Sequence, residues 1–181
     1  IRASFHQPDK HYPYEVIITP KMSFGTGHHQ TTYLMVRNLL KLDVKDKRVM
    51  DAGCGTAILA IVASKLGARE VEAFDIDDWS VENGNENIGV NSCENIRIQQ
   101  GSIDEIDLSG SFHIILSNIN QNVLLDDIKA YRNYLVPGGL LLLSGFFALD
   151  IPDLLAEGMR HGFKEVLRDE RDTWAALLLM R

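Results

Sequence analysis

The sequence predicts an α/β fold: a doubly wound, mostly parallel sheet of seven strands whose last two form an antiparallel hairpin. Three observations carry that expectation. Short apolar runs rich in β-branched residues alternate with helically spaced apolar patterns from residue 48 onward, as strands joined by crossover helices do. The first of these runs, "RVMDA", ends in a glycine loop. The last stretch, "FKEVLRDERDTWAALLLMR", reads as two strands joined by a polar turn with no helix between them, and a hairpin joins only antiparallel neighbours.

In chain order, residues 1–20, "IRASFHQPDKHYPYEVIITP", read as a linker entering a strand, and residues 21–181 as one domain. The segment "TTYLMVRNLLKL" is a helix that follows the loop "MSFGTGHHQ". After the strand "RVMDA", "AILAIVASKLGA" has apolar residues at helical spacing, with Gly67 placed to cap its C-terminus. "EVEAFDID" is the second strand, and Asp77 or Asp78 can cap the helix "WSVENGNENIGV". "NIRIQQG" and "FHIILSNI" are the third and fourth strands, and the helix "VLLDDIKAYRNYLV" stops at "PGG". "LLLLSGF" is apolar throughout, as a central strand covered on both faces should be. A further helix, residues 150–161, precedes the hairpin, and no repeat or low-complexity tract interrupts the pattern.

Composition narrows the function classes. At 181 residues and 45% hydrophobic, the chain is long enough for one sizeable core. Its net charge of −7 and pI of about 5.3 weigh against a nucleic-acid interface, which needs clustered Lys and Arg, and suit a basic protein partner. Cys54 and Cys93 are too few for a disulfide framework and lack zinc-ligand spacing, so a reducing cytoplasm is the expected compartment. His28 and His29 are adjacent, but neighbouring side chains diverge and no third ligand stands near them in sequence; no metal is expected. No apolar run reaches the roughly 18 residues of a membrane helix, and no signal peptide is expected. A first residue Ile1 followed by a connecting segment is what a piece of a longer protein would present.

The chemistry concentrates at the ends of three strands, where open α/β sheets bind ligands. In "DAGCGTA", Gly53 and Gly55 follow Asp51, and the helix starting near Ala57 points its free N–H groups at the same place. A dinucleotide fingerprint would have Gly or Ala where Ile58 stands, so the loop fits a ligand without a pyrophosphate. Asp75 ends the next strand 22 positions after Gly53, close to the spacing of roughly 20 at which an acid accepts ribose hydroxyls. Asn118 ends the fourth strand at the same rim, where its amide can meet a polar reacting group. Each has a bland alternative: glycines that only make the turn, an acid that caps a helix, an asparagine that ends a strand. The segment "MSFGTGHHQTT", residues 22–32, is expected to form a lid or wall of the pocket, and Cys54 to fill space.

"DAGCGTAILAIVASKLGA" with "EAFDID" resembles the glycine motif and acidic strand end of class I S-adenosylmethionine-dependent methyltransferases, a Rossmann-like family. "SFGTGHHQTT", "SNI" and the opening "IRASFHQPD" are similar to the methyltransferases of the large-subunit ribosomal protein L-eleven, and this resemblance runs over essentially the whole chain. It implies S-adenosylmethionine as cofactor, with contacts from Thr32, Gly53, Asp75 and Asn118 and further contributions from Phe24, Thr26 and Gly55. Asn118 is implied near the transferred methyl group, and the acceptors would be lysine amines and a terminal amine of a ribosomal protein. The family's N-terminal recognition domain has no counterpart here. The sequence departs from the family pattern at Gln30, where a proline is usual, at Ala57, where a glycine is usual, and in "NQN" at 120–122, beside the acceptor side.

The acceptor amine must be unprotonated, and no His or Glu is marked by the sequence as its base; positioning is expected to supply most of the rate. The alternatives are a methyltransferase of another protein lysine or of a small molecule, a nicotinamide-dependent oxidoreductase, and a non-catalytic scaffold that keeps the fold.

Overall fold

The computed structural model describes every residue of the chain except Lys10, Pro20, Met22, Ser23 and Thr26. Its sheet has seven strands in the order β3-β2-β1-β4-β5-β7-β6. These are β1 (Arg48–Ala52), β2 (Glu70–Asp75), β3 (Ile96–Gln100), β4 (Phe112–Asn118), β5 (Leu135–Phe147), β6 (Lys164–Arg171) and β7 (Trp174–Met180). The pairs among β1 to β5 are parallel, and β7 runs antiparallel to both β5 and β6. The expected hairpin is therefore present, with β7 as the reversed strand. The helices are α1 (Gln30–Leu39), α2 (Ile58–Lys65), α3 (Asp78–Val90), α4 (Gln121–Tyr134) and α5 (Ile151–Arg160).

Strand alternation divides the core in two. Val49, Val71, Ile114, Leu116 and Leu142 face one cluster with Ile58, Ile61 and Met35 of the helices on that side. Their neighbours Met50, Ile115, Leu141 and Leu143 face the other, against Leu124, Ile128 and Tyr131 of α4 and Ile151 and Leu154 of α5. Successive strand side chains point to opposite faces, so one run such as "VM" or "LLLL" feeds both layers. That is why the central strands read as continuous apolar segments rather than as alternating ones.

Local chemistry sets the ends. At the end of α2 the Gly67 N–H donates to the Ser64 carbonyl at 2.9 Å and the Ala68 N–H to the Ala63 carbonyl at 3.1 Å, the paired bonds of a Schellman cap. The stop expected at "PGG" is a strand start: α4 ends at Tyr134 and β5 begins at Leu135, crossing Pro137 to Gly139 with a shift in its pairing to β4. Among the described residues of the first twenty no strand is present, and an isolated bridge between Arg2 and Ile17 stands in place of the expected one. The reason is a different partner. Asn91, just past the end of α3, exchanges hydrogen bonds with both backbone groups of Ile17, at 2.9 and 2.6 Å, and the carboxamide oxygen of Asn87 in α3 accepts the Thr19 N–H at 2.9 Å. Amide side chains thus satisfy backbone groups that a sheet edge would otherwise have taken.

The strand order reverses between β1 and β4, so the carboxyl ends of β1, β2 and β4 open onto one crevice.

Candidate functional site

At that crevice the loop after β1 is tied to the end of β2. The Gly53 and Cys54 N–H groups both donate to the Phe74 carbonyl at 2.9 Å. The Gly55 N–H donates to Asp75 Oδ2 at 2.8 Å, and Asp75 Oδ1 accepts the Asp77 N–H at 3.1 Å. Asp75 therefore holds the loop, and because a carboxylate has about four acceptor positions it keeps lone pairs for a ligand. Asp77 begins α3 without a side-chain cap, its N–H being the one Asp75 takes, while Asp78 Oδ1 accepts the Trp79 N–H at 2.7 Å.

Behind the loop, α2 starts after Ala57, which is in the left-handed region with φ +60° and offers no capping side chain. The cap comes from β1: Asp51 Oδ2 accepts the Ala60 N–H at 2.9 Å. Asp51 Oδ1 has no partner among the described residues. Burial pushes the Asp51 carboxyl up to about 7, against the pull of the Ala60 bond and with the charge of Asp75 adding to the rise. Burial likewise raises the Cys54 thiol well above its usual value, which keeps it protonated and fits the packing role expected for it.

Asn118 ends β4 with its carboxamide Oδ1 buried and unpaired among the described residues. The next residue, Ile119, is wedged between two glycines. Gly53 has φ +69° and a Cβ there would strike the Ile119 side chain; Gly145 of β5 has φ +96° and a Cβ there would strike the Ile119 backbone. Both the backbone conformation and the space thus require glycine, and the wedge fixes where Asn118 stands. Asn120 then caps α4, its Oδ1 accepting the Val123 N–H at 3.2 Å.

The segment before α1 forms one wall. Thr56 holds it: its N–H donates to the Phe24 carbonyl at 2.9 Å and its hydroxyl to the Gly25 carbonyl at 2.7 Å. A row of rings continues outward, with centroids 5.2 Å apart for Phe24 and His29, 4.8 Å for His29 and Trp174, and 4.2 Å for Trp174 and Phe147. His29 also caps α1, its Nδ1 accepting the Thr31 N–H at 3.3 Å and lying 2.8 Å from the Thr31 hydroxyl.

These walls enclose a cavity of about 620 Å³. Phe24, Gly53, Gly55, Asp75 and Asn118 all line it, together with apolar surface from Phe74, Ile76, Trp79, Ile103 and Val123. Among the described lining residues every formally charged side chain is a carboxylate: Asp75, Asp77 and Asp127. Without a lysine or arginine the cavity suits a cationic or neutral ligand better than an anionic one.

The family model "Ribosomal protein L11 methyltransferase (PrmA)" matches residues 1–181. This chain belongs to the ribosomal protein L11 methyltransferase family. It is 48% identical over 177 residues to a protein of that name from Porphyromonas gingivalis, covering 98% of this chain and 61% of the relative. A relative of the same name from Bacteroides thetaiotaomicron is 44% identical, with 98% of this chain and 63% of the relative covered. The chain thus spans about three-fifths of the length of these relatives. The crystal structure of a ribosomal protein L11 methylase from Lactobacillus delbrueckii subsp. bulgaricus superposes with a TM-score of 0.89 at 33% identity, covering 98% of this chain and 90% of that one.

For this member of the L11 methyltransferase family the geometry adds to the residues read from sequence. Thr32 is fully buried with its hydroxyl unpaired among the described residues, and its neighbour Thr31 lies on the wall of the cavity. Thr26 lies outside the described residues. His29 lies in the segment expected to form the wall, whereas the sequence reading named no role for Trp174, Gly145 and Asp127, which also line the cavity. A glycine inside the apolar run of β5 was the one local signal available, since such a glycine marks a close backbone approach. The others carry none, because they come together only through packing.

Proposed function

We propose that this chain is the S-adenosylmethionine-binding, catalytic part of a protein methyltransferase acting on amino groups, lysine side chains and a terminal amine, of ribosomal protein L11. The observation that carries this reading is the unpaired, buried Asn118 carboxamide oxygen in a cavity whose charged residues are all carboxylates. The residues fit the cofactor. Gly53 and Gly55 let the backbone approach it, Asp75 has acceptor capacity for two ribose hydroxyls, and Ile76 and Ile103 offer apolar faces for a purine. A dinucleotide would bring its pyrophosphate against carboxylates with no cation in the lining, which disfavours the oxidoreductase alternative.

When bound, S-adenosylmethionine supplies an electrophilic methyl group on a positively charged sulfur. The protein's part is to present the amine. A lysine of pKa about 10.4 is neutral about once in a thousand molecules at pH 7.4, a cost of roughly 4 kcal/mol. Asn118 Oδ1 accepts an N–H of the neutral amine and so directs its lone pair, while the aromatic row of Phe24, His29 and Trp174 lines the approach and limits water. The partner is a basic protein, consistent with the net charge of −7, and no nucleic-acid contact is part of this reading.

Titration calorimetry and thermal melts with S-adenosylmethionine and with NAD test the cofactor, and radiolabelled methyl transfer to purified L11 tests the acceptor. Ligand at 100 times its dissociation constant stabilises by about 2.7 kcal/mol, which for a domain of this size moves the melting point by about 5–10 °C. A shift with S-adenosylmethionine and none with NAD is expected. Folded protein that binds neither ligand would overturn the reading.

A further inference from the structure

Asn83 and Asn87 of α3 and Asn91 at its C-cap are spaced by four. Residues four apart in a helix lie one above the other, so the three amides form a stripe with a step of about 6 Å. The chain that leads to the cavity wall runs along this stripe in the opposite direction. Asn91 holds both backbone groups of Ile17, and Asn87 accepts the Thr19 N–H. Two residues of extended chain advance about 6.6 Å and present their backbone groups to the same side, so the two repeats keep step.

The next rung in this register pairs Lys21 with Asn83. Lys21 is already at that height, with its Nζ 2.7 Å from Oε1 and 2.6 Å from Oε2 of Glu86, less than one turn from Asn83. Yet the rung is not made. Asn83 is 1% exposed, and both its carboxamide oxygen and its nitrogen lack a hydrogen bond among the described residues. Lys21 chiefly holds the Glu86 carboxyl below its ordinary value, with a lesser pull from the Asn83 amide, which lies close by without meeting hydrogen-bond geometry.

Buried polar groups are nearly always paired, and a carboxamide unpaired at both ends costs stability. Its place in the fold says when a partner comes. Asn83 follows Ser80, a residue of the cavity lining, by about one turn. Its neighbour Gly84 packs on the glycine loop, where a Cβ would stand 3.4 Å from the Gly55 carbonyl oxygen. On the other side of Lys21, Phe24 and Gly25 are fixed to Thr56, and Phe24 lines the cavity. A ligand seated between Ser80, Gly55 and Phe24 therefore bears on both sides of the open rung.

On the reading that the cavity holds S-adenosylmethionine, we infer that Asn83 is a positioning residue: with the cofactor seated, its Oδ1 accepts the Lys21 N–H and its Nδ2 donates to Glu86, tying the wall that carries Phe24 to α3. Asn83 is not part of the cavity lining and acts through the wall. Closing the rung then contributes to cofactor affinity, because only the bound state makes it.

The test uses the intact chain, the variant Asn83→Ala and S-adenosylhomocysteine as the probe. In the free protein alanine removes two unpaired polar groups and is the better helix former, so the variant is expected to melt at or above the wild-type temperature. It cannot close the rung, and calorimetry is expected to give a dissociation constant about fivefold above that of the wild type. The opposite signs separate this role from a merely structural one, which would lower the melting temperature. A second measurement needs no variant: hydrogen exchange at the Lys21 amide of the wild type is expected to slow about tenfold or more when the probe is added. An unchanged dissociation constant, a lowered melting temperature in the free variant, or Lys21 exchange that the probe does not slow overturns the assignment of Asn83 while leaving the cofactor reading intact. Folded wild type that does not bind S-adenosylhomocysteine overturns that reading and the inference with it.

Discussion

Asp75 and Asn118 act through single atoms, and their substitutions should separate binding from turnover. Asp75 holds the Gly55 N–H and has capacity left for a ligand. In Asp75→Asn the amide oxygen can keep the Gly55 N–H, but the charge is lost and the NH2 opposes the Asp77 N–H; a hydrogen bond to a charged group is worth about 1.5–3 kcal/mol. We expect the dissociation constant for S-adenosylmethionine to rise tenfold or more in calorimetry, with a modest drop in melting temperature. Asp75→Ala should lower the melting temperature further, because the loop is untied as well. An unchanged dissociation constant would remove Asp75 from the site. Asn118 has no partner to lose within the described protein. Asn118→Ala is therefore expected to bind cofactor within about twofold of the wild type and to lose about tenfold to a hundredfold in methyl transfer. Full turnover with normal binding would show that the carboxamide does not position the amine.

At the scale of elements, the site depends on connections between segments far apart in sequence. Thr56, at the start of the α2 turn, carries the wall segment through its hydroxyl bond to the Gly25 carbonyl, and Asn87 of α3 in turn donates to the Thr56 carbonyl at 3.0 Å. Thr56→Val keeps the shape and the backbone bond but leaves that carbonyl unpaired. The expected loss is about 1–3 kcal/mol of stability in denaturant melts, accompanied by faster proteolysis near residues 24–28. Proteolysis at the wild-type rate would mean that the backbone bond from the Thr56 N–H holds the wall without the hydroxyl. The wedge of Ile119 between Gly53 and Gly145 is the second such connection, joining β1, β4 and β5 at the point where Asn118 must be held.

Across the whole molecule, the cost of the site should be visible in the pH dependence of stability. Asp51 sits at about 7 in the folded chain against an ordinary value of 3.8. Between those values the folded state binds a proton that the unfolded state lacks, so this group makes stability rise as pH falls from above 7 toward 4. Above pH 7 its full cost is present, on the order of 4 kcal/mol. Asp51→Asn can still accept from Ala60 and carries no charge. Its melting temperature is expected to exceed that of the wild type most at pH 8, with the gap closing toward pH 4. A gap that stays constant over that range would mean that Asp51 does not titrate there. The charge of Asp75, which lines the cavity, adds to the rise at Asp51, which ties part of this stability cost to the negative character of the cavity.

What the sequence determined by itself is what local pattern can encode. The period of the apolar residues gave the strands and helices from Arg48 to Met180, and the absence of a helix between the last two strands required a reversed one. The spacing of Gly53, Asp75 and Asn118, each at a strand's carboxyl end, was enough to bring them to one rim, because parallel strands in a doubly wound sheet all end there. Tertiary structure alone decided the rest. It placed Thr31 on the cavity wall, brought His29 against Trp174 across most of the chain length, set Gly145 against Ile119, and turned Asp127 into the cavity. It also gave the backbone of Ile17 and Thr19 to the amide side chains of Asn91 and Asn87 instead of to a sheet edge. Such contacts depend on how elements pack and rotate against one another, and that information lies in the combined shape of two distant surfaces, not in the periodicity of either.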